Sequence, residues 1–175
     1  VIFQPELRKV LEKAVSVPPH RLKDQDTELQ SLIAESLVKL AREHCGAILV
    51  FPGKEPIKDK ISGGYQLNAV PSLPLILSIF DPNSPGHDGA VIIEGNKLTQ
   101  FGVRLPMSQS ARLSEEYGTR HHAAMGLAEQ TDALTLVVSE ERGKVSIFTN
   151  GTMQPARNAN DITEAIVEHQ QQMGF

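Results

Sequence analysis

The chain has 175 residues, of which 40% are hydrophobic and 22% are charged, and its formal net charge at pH 7 is −4. This length predicts one globular domain with its own core, and this composition excludes an intrinsically disordered chain. The negative net charge argues against a surface that binds long polyanions such as nucleic acids, so any phosphate-binding site should be local.

The sequence contains one cysteine, Cys45, so no disulfide can form within the chain, which is typical of a reducing compartment. No stretch has the apolar length of a membrane span, and no signal peptide pattern is present. These features predict a cytoplasmic domain. Because the sequence starts at Val1 rather than at methionine, a membrane anchor upstream of Val1 remains compatible with that prediction.

The N-terminal region, about residues 1–44, is predicted to be helical. Apolar residues lie on one helical face within residues 7–14, and Pro18-Pro19 is expected to end this first helix. Thr27-Glu28-Leu29-Gln30 matches a capping box, and an apolar stripe with helical spacing follows it. The pattern therefore predicts a second helix from Thr27 to His44.

Three elements are predicted next along the chain. Gly46 to Phe51 is a continuous apolar run that ends at a Pro-Gly pair, which indicates a buried strand. Lys54 to Gln66 is charged and contains glycines, which is typical of a surface loop. Pro71 to Phe80 is typical of a short helix with proline in its first turn.

The following segments alternate between hairpins and helices. Segments 90–94 and 97–103 predict a hairpin around Gly95-Asn96, because this pair readily adopts the positive φ angles of a tight turn. A helix is predicted from Arg120 to about Glu129, and its small residues would allow it to pack closely on a sheet.

Two further apolar segments, 134–138 and 144–149, predict a second hairpin, and a helix at about 161–173 closes the chain. Hairpins that alternate with helices predict an α/β fold, a central mixed β-sheet flanked by helices. Residues 1–175 are therefore predicted to form a single layered domain, whose motif-bearing core spans about residues 45–150.

The first motif is a carboxylate followed by two very small residues at the start of an apolar strand, His87-Asp88-Gly89-Ala90. A carboxylate can hold a divalent metal or orient a hydroxyl. Gly89 and Ala90 would leave room for a ligand to reach the backbone. The competing interpretation is an ordinary turn, because Asp-Gly is a common turn dipeptide.

The second motif, Gly118-Thr119-Arg120-His121-His122, stands at the opening of the predicted helix. Cationic side chains oppose the dipole at a helix N-terminus, which calls for a compensating anion. Thr119 can cap the helix and also offer its hydroxyl to a phosphate. An exposed polar first turn is the competing interpretation. Together the two motifs predict a metal–triphosphate pocket, provided that they converge in space.

A third polar segment, Ser139-Glu140-Glu141, lies in a predicted turn between strands and is equally typical of a solvated loop and of a functional one. The histidines at 87, 121 and 122 do not have the usual helical spacing of zinc ligands, so a zinc site is not predicted.

The motifs resemble those of the diadenylate cyclase (DAC) domain family, the bacterial and archaeal enzymes that make cyclic di-AMP. The two signatures of that family, Asp-Gly-Ala and Arg-His-Arg, stand here as Asp88-Gly89-Ala90 and Arg120-His121-His122. The resemblance covers nearly the whole chain and is greatest to the membrane-tethered branch, whose catalytic domain follows a short helical anchor. Further matching segments are Phe3–Arg8, Ser78-Ile79-Phe80, Leu105–Ser108, Gly118-Thr119 and Val138–Glu141.

This resemblance implies a DAC-type fold and the condensation of two ATP molecules, in which each 3′-hydroxyl attacks the α-phosphate of the other and two pyrophosphates leave. Because each domain of the family holds one ATP, it also implies a face-to-face homodimer that forms at least transiently for catalysis. No appended DNA-binding module is visible in the sequence, so a nucleic acid partner is not predicted, and the resemblance implies a membrane contact only through an anchor upstream.

The resemblance also implies roles for individual residues. The catalytic residues would be Asp88, Arg120, His121 and His122. The residues that bind ATP would be Gly89, Ala90, Arg104, Leu105, Gly118, Thr119, Ser139 and Glu140. Asp88 would bind the divalent metal, Mg²⁺ or Mn²⁺, with His87 and Glu141 as further candidate ligands.

Two positions depart from the family pattern. His122 replaces the arginine that usually ends the second signature, and a histidine is shorter and only partly charged near neutrality. Arg104 stands where the membrane-tethered branch tends to have an aromatic residue. An ATP-binding sensor without turnover is therefore an alternative to the enzyme. A metal-dependent phosphohydrolase is a second alternative, suggested by the His87-Asp88 dipeptide, although in such enzymes this dipeptide normally lies on a helix. A third alternative, a protein that serves only as a scaffold, would leave the Arg-His-His cluster unexplained.

Overall fold

The computed structural model describes the backbone of residues 19–174 and the side chains of residues 28–174. The helix predicted within residues 7–14 lies outside the described residues. The helices are α1 (Pro19–Arg42), α2 (Leu73–Ile79), α3 (Thr119–Gln130) and α4 (Ala159–Met173). The strands are β1 (Ala47–Phe51), β2 (Ser62–Ala69), β3 (Ala90–Glu94), β4 (Lys97–Arg104), β5 (Leu134–Val138), β6 (Val145–Thr149) and β7 (Thr152–Ala156).

These strands form one seven-stranded sheet in the order β2-β4-β3-β1-β5-β6-β7. β1 and β3 run parallel, and the other neighbouring pairs are antiparallel. The prediction of a central mixed sheet flanked by helices is therefore confirmed. Because β1 and β3 are parallel neighbours, the residues just before them, Gly46 and Gly89, come to the same edge of the sheet.

Different helices cover the two faces of the sheet. One buried cluster contains side chains of α1, α2 and α4, for example Leu37, Ile76 and Ile162. A second cluster lies on the other face and contains the inward side of α3, including Leu127. Every residue of β1 is buried, as predicted for a strand that is covered on both faces. The single helix α3 therefore separates one face of the sheet from solvent.

Helix α3 approaches its neighbours closely because its inward residues are small. A Cβ atom on Gly126 would lie only 2.7 Å from the carbonyl carbon of Pro106, so a side chain there would displace the segment that follows β4. The same segment is tied to the first turn of α3, since the Ser108 N–H donates to the His122 carbonyl at 2.9 Å. The start of α3 is thus held against the end of β4.

Both edge strands were missed by the pattern analysis. Strand β2 falls partly in Lys54–Gln66, which was predicted to be a surface loop, and that prediction is wrong from Ser62 onwards. Most of β2 is exposed and two of its residues are glycines, so it lacks the alternation of a half-buried strand. It forms by pairing with β4. Strand β7 contains Pro155, which an edge strand tolerates.

Two local predictions need correction. Helix α1 begins at Pro19 rather than at Thr27, so the predicted capping box lies inside a helix. Proline fits the first turn of a helix because its missing N–H would have no partner there. At the β3–β4 turn only Gly95 has a positive φ, +59°, whereas both residues of the pair were expected to have one.

Among the helices described for residues 19–174, none combines the length and the apolar character that a membrane span requires.

Candidate functional site

Asp88 lies just before β3, at the edge of the sheet that β3 shares with the start of β1. Its side chain is 81% exposed. The His87 Nε2 atom lies 3.2 Å from the Asp88 Oδ1 atom, and the His87 Nδ1–H donates to the Ser84 carbonyl at 2.8 Å. Since Nδ1 carries a proton in that bond, Nε2 can donate to Asp88 only when the ring is protonated. The carboxylate therefore faces solvent with an imidazole beside it.

The two small residues after Asp88 serve the packing of the sheet. A Cβ on Gly89 would lie 2.8 Å from the Gly102 carbonyl oxygen, so only glycine allows β4 to approach here. Gly102 has a φ of +66°, a conformation that favours glycine. Ala90 is fully buried in the cluster beneath α3. Gly89 borders the cleft described below, whereas Ala90 is part of the core.

Arg120 joins the two motifs. Its Nη2 atom lies 3.3 Å from the Asp88 Oδ1 atom, and its Nη1 atom lies 3.4 Å from the Glu140 Oε1 atom. The side chain is only 13% exposed, and its Nε–H is buried without a hydrogen-bond partner. The guanidinium lies directly over Gly46, where a Cβ would come within 2.8 Å of the Arg120 Nε atom. The predicted convergence of the carboxylate and the helix N-terminus is therefore present.

The N-terminus of α3 differs from the prediction in one detail. Gly118, not Thr119, is the N-cap residue, and it has no side chain to bond the first N–H groups. The predicted cap at Thr119 is therefore wrong. Thr119 is the first residue of the helix and is exposed. Backbone N–H groups at an uncapped helix N-terminus, together with a hydroxyl and a guanidinium, form the chemical setting of an anion site.

The other two residues of the Arg-His-His cluster do not join Arg120 in its contact with Asp88. His121 is 5% exposed, and its ring lies 5.0 Å from the ring of Tyr117 and 6.1 Å from that of Phe148. Burial, and then the nearby charges of Arg142, His122 and Arg120, lower the pKa of His121 to about 4. It is therefore neutral at pH 7. His122 is partly exposed and borders neither of the cavities described below.

We expect the free energy of unfolding to decrease as the pH falls from 7 towards 4, in part because of His121. The pKa of this residue is about 4 in the folded chain and 6.5 in the unfolded chain, so the unfolded chain binds more protons in that interval. The effect should approach about 3 kcal/mol. Urea unfolding at pH 7.0 and 4.5 measures it, and His121→Gln should reduce the difference between the two pH values. An equal difference in both proteins would contradict a buried neutral imidazole.

The loop between β5 and β6 is ordered by its own hydrogen bonds. The Ser139 hydroxyl accepts a bond from the Arg142 N–H at 3.1 Å, and the His44 Nδ1–H donates to the Glu140 carbonyl at 3.0 Å. The Arg142 guanidinium lies 4.3 Å from the centre of the Tyr117 ring. These contacts hold the loop against the residues that lead into α3. Ser139-Glu140-Glu141 is therefore part of an ordered loop rather than a freely solvated one.

Two adjoining cavities meet at the N-terminus of α3. The larger cleft, about 750 Å³, lies between β2, β4 and α3, and the smaller cleft, about 230 Å³, lies between α3 and the β5–β6 loop. Thr119 and Arg120 border both. The predicted residues on the larger cleft are Asp88, Gly89, Arg104 and Leu105. Those on the smaller cleft are Gly118, His121, Ser139, Glu140 and Glu141.

Several residues of this site were not predicted. Gly46 supports the Arg120 guanidinium, and Tyr65 and Met107 border the larger cleft. Tyr65 was hidden because β2 was taken for a loop. A cavity of about 890 Å³ lies at the opposite edge of the sheet, beyond the C-terminal ends of β1 and β3, and contains none of the predicted residues. Most of the predicted site residues therefore border the two adjoining clefts, and none borders this cavity.

Comparison with known proteins identifies a family that matches this chain. A DAC family model, described as DisA bacterial checkpoint controller nucleotide-binding, matches residues 34–153. A diadenylate cyclase of Listeria monocytogenes is 40% identical over 158 residues, which are 87% of this chain and 58% of the Listeria protein. This chain therefore spans less than two thirds of that relative.

Two crystal structures are also similar. That of a double mutant of DacA from Staphylococcus aureus matches with a TM-score of 0.79 at 35% identity, and the match covers 84% of this chain and 97% of the DacA chain in that structure. That of a hypothetical membrane spanning protein from Bacillus cereus matches with a TM-score of 0.69 at 41% identity and covers 71% and 61% of the two chains. The family match includes both motifs and the fold is shared. The chain belongs to the diadenylate cyclase (DAC) domain family.

Proposed function

We propose that this chain is the catalytic domain of a diadenylate cyclase, which condenses two ATP molecules into cyclic di-AMP and releases two pyrophosphates. The observation that carries the proposal is the contact between Arg120 and Asp88. This contact brings a carboxylate and a helix N-terminus together where the larger and the smaller cleft adjoin. Membership of the DAC family supports the same activity.

In this proposal the two clefts hold different parts of one ATP molecule. The smaller cleft takes the triphosphate, where the backbone N–H groups after Gly118, the Thr119 hydroxyl and the Arg120 guanidinium are donors to phosphate oxygens. Ser139 lies on the opposite wall of that cleft. The larger cleft takes the adenosine, with Leu105 and Arg104 beside the base. The unpartnered Nε–H of Arg120 supports this, because a bound anion would supply the missing acceptor.

Each half of the reaction forms one bond and breaks another. The 3′-oxygen of one ATP bonds to the α-phosphorus of the second, and the bond from that phosphorus to the bridging oxygen breaks, so that pyrophosphate leaves. The 3′-hydroxyl loses its proton as the new bond forms. Asp88 is the group that we assign to orient this hydroxyl and receive the proton, since its carboxylate is exposed at the mouth of the cleft.

The same proposal includes a divalent metal, Mg²⁺ or Mn²⁺. Within the described part of the chain no three histidine, cysteine, aspartate or glutamate side chains lie close enough to form a metal site. Mg²⁺ typically binds one or two carboxylates together with substrate phosphates, and Asp88 offers such a carboxylate, with His87 and Glu141 as additional candidates. When bound, the metal would neutralise phosphate charge and orient the leaving group.

Catalysis also requires a second copy of the chain. Each copy has one pair of clefts around Asp88, so the second ATP must come from another copy that faces the first. A symmetric face-to-face dimer supplies it, and the high exposure of Asp88 fits a residue that works at such an interface. The dimer need only form transiently.

The departure at His122 bears on the sensor alternative. His122 borders neither cleft, so in this chain position 122 supplies no donor to the cleft walls described above. Arg120 retains the permanent charge at the phosphate site. We therefore favour the enzyme over an ATP-binding sensor. The catalytic roles of His121 and His122 remain predictions. His121 is better placed to position Tyr117 than to contact phosphate.

We also propose where the domain works. The Bacillus cereus relative is described as a hypothetical membrane spanning protein. By analogy, this domain would lie in the cytoplasm and be tethered to the cell membrane by a segment upstream of Val1. Its substrate, ATP, is a cytoplasmic metabolite, which is consistent with this placement.

The proposed activity can be tested with the purified protein, ATP and Mn²⁺. Incubation with ATP and Mn²⁺ is expected to produce cyclic di-AMP, identified by mass spectrometry, together with pyrophosphate, and EDTA is expected to stop the reaction because the leaving group loses its metal. ATP binding without product would support the sensor instead. Hydrolysis of a phosphodiester without condensation of ATP would support a phosphohydrolase.

A further inference from the structure

We propose that Tyr65, on edge strand β2, is the stacking residue for the nucleobase in the larger cleft. This inference rests on the proposed function, because it takes ATP as the ligand of that cleft. Nothing in the two motifs points to Tyr65, which precedes both of them and lies in a segment without hydrophobic alternation. Its assignment comes from its exposure, its aromatic support and its place on the cleft wall.

Tyr65 is unusually exposed for a large side chain of this protein. Three large apolar or aromatic side chains are exposed among the described residues, Tyr65 at 58%, Val70 at 75% and Met107 at 52%. Tyr65 and Met107 border the larger cleft, whereas Val70 does not. An exposed aromatic ring on a concave surface is a feature that ligand sites commonly use.

The ring of Tyr65 is held in place from one side. The residue pairs with Phe101 across β2 and β4, and the two ring centres lie 5.2 Å apart with an angle of 32° between their planes. Phe101 is only partly exposed and packs on the hydrophobic core. A ring supported in this way loses little conformational freedom when a ligand stacks on its other face. Tyr65 is therefore a preorganised platform rather than a loose surface side chain.

The space next to Tyr65 suits a flat ring. The preceding residues, Gly63 and Gly64, have φ angles of +64° and +86° and carry no side chain that would fill the cleft. A Cβ on Gly63 would meet nothing within 4 Å. The neighbouring wall on β4 contains Val103 and Leu105. The apolar surface of this part of the cleft comes from Tyr65, Val103 and Leu105, and Ser62 and Arg104 add polar groups to the same walls.

Two of the three charged residues that border the cleft lie away from Tyr65, and the third, Arg104, ends strand β4. Asp88 and Arg120 lie on the side formed by the start of β3 and by α3, next to the smaller cleft. Tyr65 lies on the wall formed by β2 and β4. A nucleotide with its phosphates at Arg120 would therefore direct its base towards that wall. Base–aromatic stacking contributes about 1–3 kcal/mol, which corresponds to roughly fivefold to a hundredfold in affinity.

Isothermal titration calorimetry with α,β-methylene ATP and Mg²⁺ tests the proposal, because this analogue cannot release pyrophosphate. Tyr65→Ala is expected to raise the Kd of the analogue about tenfold, whereas Tyr65→Phe should change it less than about twofold. Inorganic triphosphate, which has no base, should bind parent and Tyr65→Ala equally. Val70→Ala, which removes an exposed side chain outside the cleft, is the matched control and should behave as the parent.

Three results would overturn the assignment. One is unchanged binding of the analogue by Tyr65→Ala. Another is an equal loss for inorganic triphosphate, which would mean that Tyr65 only maintains the shape of the cleft. The third is a normal Kd together with weakened self-association of Tyr65→Ala in analytical ultracentrifugation, which would assign Tyr65 to the contact with a second copy. Because the analogue does not react, a parent that binds it through Tyr65 but makes no cyclic di-AMP would overturn only the proposed activity.

Discussion

Replacement of Asp88 by asparagine is expected to lower the rate of cyclic di-AMP formation by on the order of 1,000-fold. Asparagine has nearly the same shape as aspartate, but its amide neither carries the negative charge that holds a divalent metal nor accepts a proton from the 3′-hydroxyl. The initial rate of product formation from ATP and Mn²⁺, measured by mass spectrometry, gives the effect. A residual rate above about a tenth of the parent rate would remove Asp88 from the proposed chemistry.

Folding should be little affected by this change. The Asp88 side chain is 81% exposed, so its ion pair with Arg120 is screened by solvent and contributes little to stability. Asp59→Asn is the matched control, because Asp59 is also exposed and lies in the loop before β2, away from both clefts. The control should keep the parent rate, and thermal unfolding should give similar midpoints for all three proteins.

Replacement of Gly46 by alanine is expected to lower the same rate by about 100-fold, although Gly46 itself has no functional group. The Arg120 guanidinium lies over Gly46, and an added Cβ would overlap its end atoms and come within 2.8 Å of Nε. The guanidinium is the far end of a flexible side chain, so it would move aside instead of unfolding the protein. Its displacement would take the charge away from the phosphates and from Asp88.

Gly53→Ala is the control for this substitution. Gly53 follows the other end of β1, where an added Cβ would overlap the Asp132 side chain and lie 2.8 Å from the Asp132 carbonyl oxygen. Both substitutions thus introduce a steric overlap, which at Gly53 involves the backbone as well as a side chain, but only the one at Gly46 touches the site. We expect Gly53→Ala to keep the parent rate at saturating ATP. An equal loss of rate in the two variants would show that steric strain on β1, and not the position of Arg120, controls activity.

The elements with a strong local pattern could be predicted from the sequence. The apolar runs that form β1 and β3 record their burial directly in residue type, and the turn residue Gly95 indicated the hairpin from β3 to β4. The edge strand β2 could not be predicted in this way, because its first five residues are exposed. It forms by pairing with the backbone of β4, which lies about 35 residues further along the chain. The wall that carries Tyr65 was missed for that reason.

The candidate site shows the same division. Both motifs could be recognised in the sequence, including Asp88 and Arg120. Consecutive residues of a helix point in directions about 100° apart, so Arg120, His121 and His122 could not all face one ligand. Helical geometry alone predicts this divergence. The burial of His121 against Phe148 was not readable from the motif.

By itself, the sequence determined which chemical groups are present. It also determined the spacing of apolar residues from which the helices and most strands form. Only the tertiary structure decided that Asp88 and Arg120, 32 residues apart along the chain, meet beside Gly46. The physical reason is that local propensity depends on neighbours in sequence, whereas this meeting depends on β3 pairing in parallel with β1 and on α3 packing closely through small residues. Those contacts are long-range, and their geometry is set by the packing of the whole sheet.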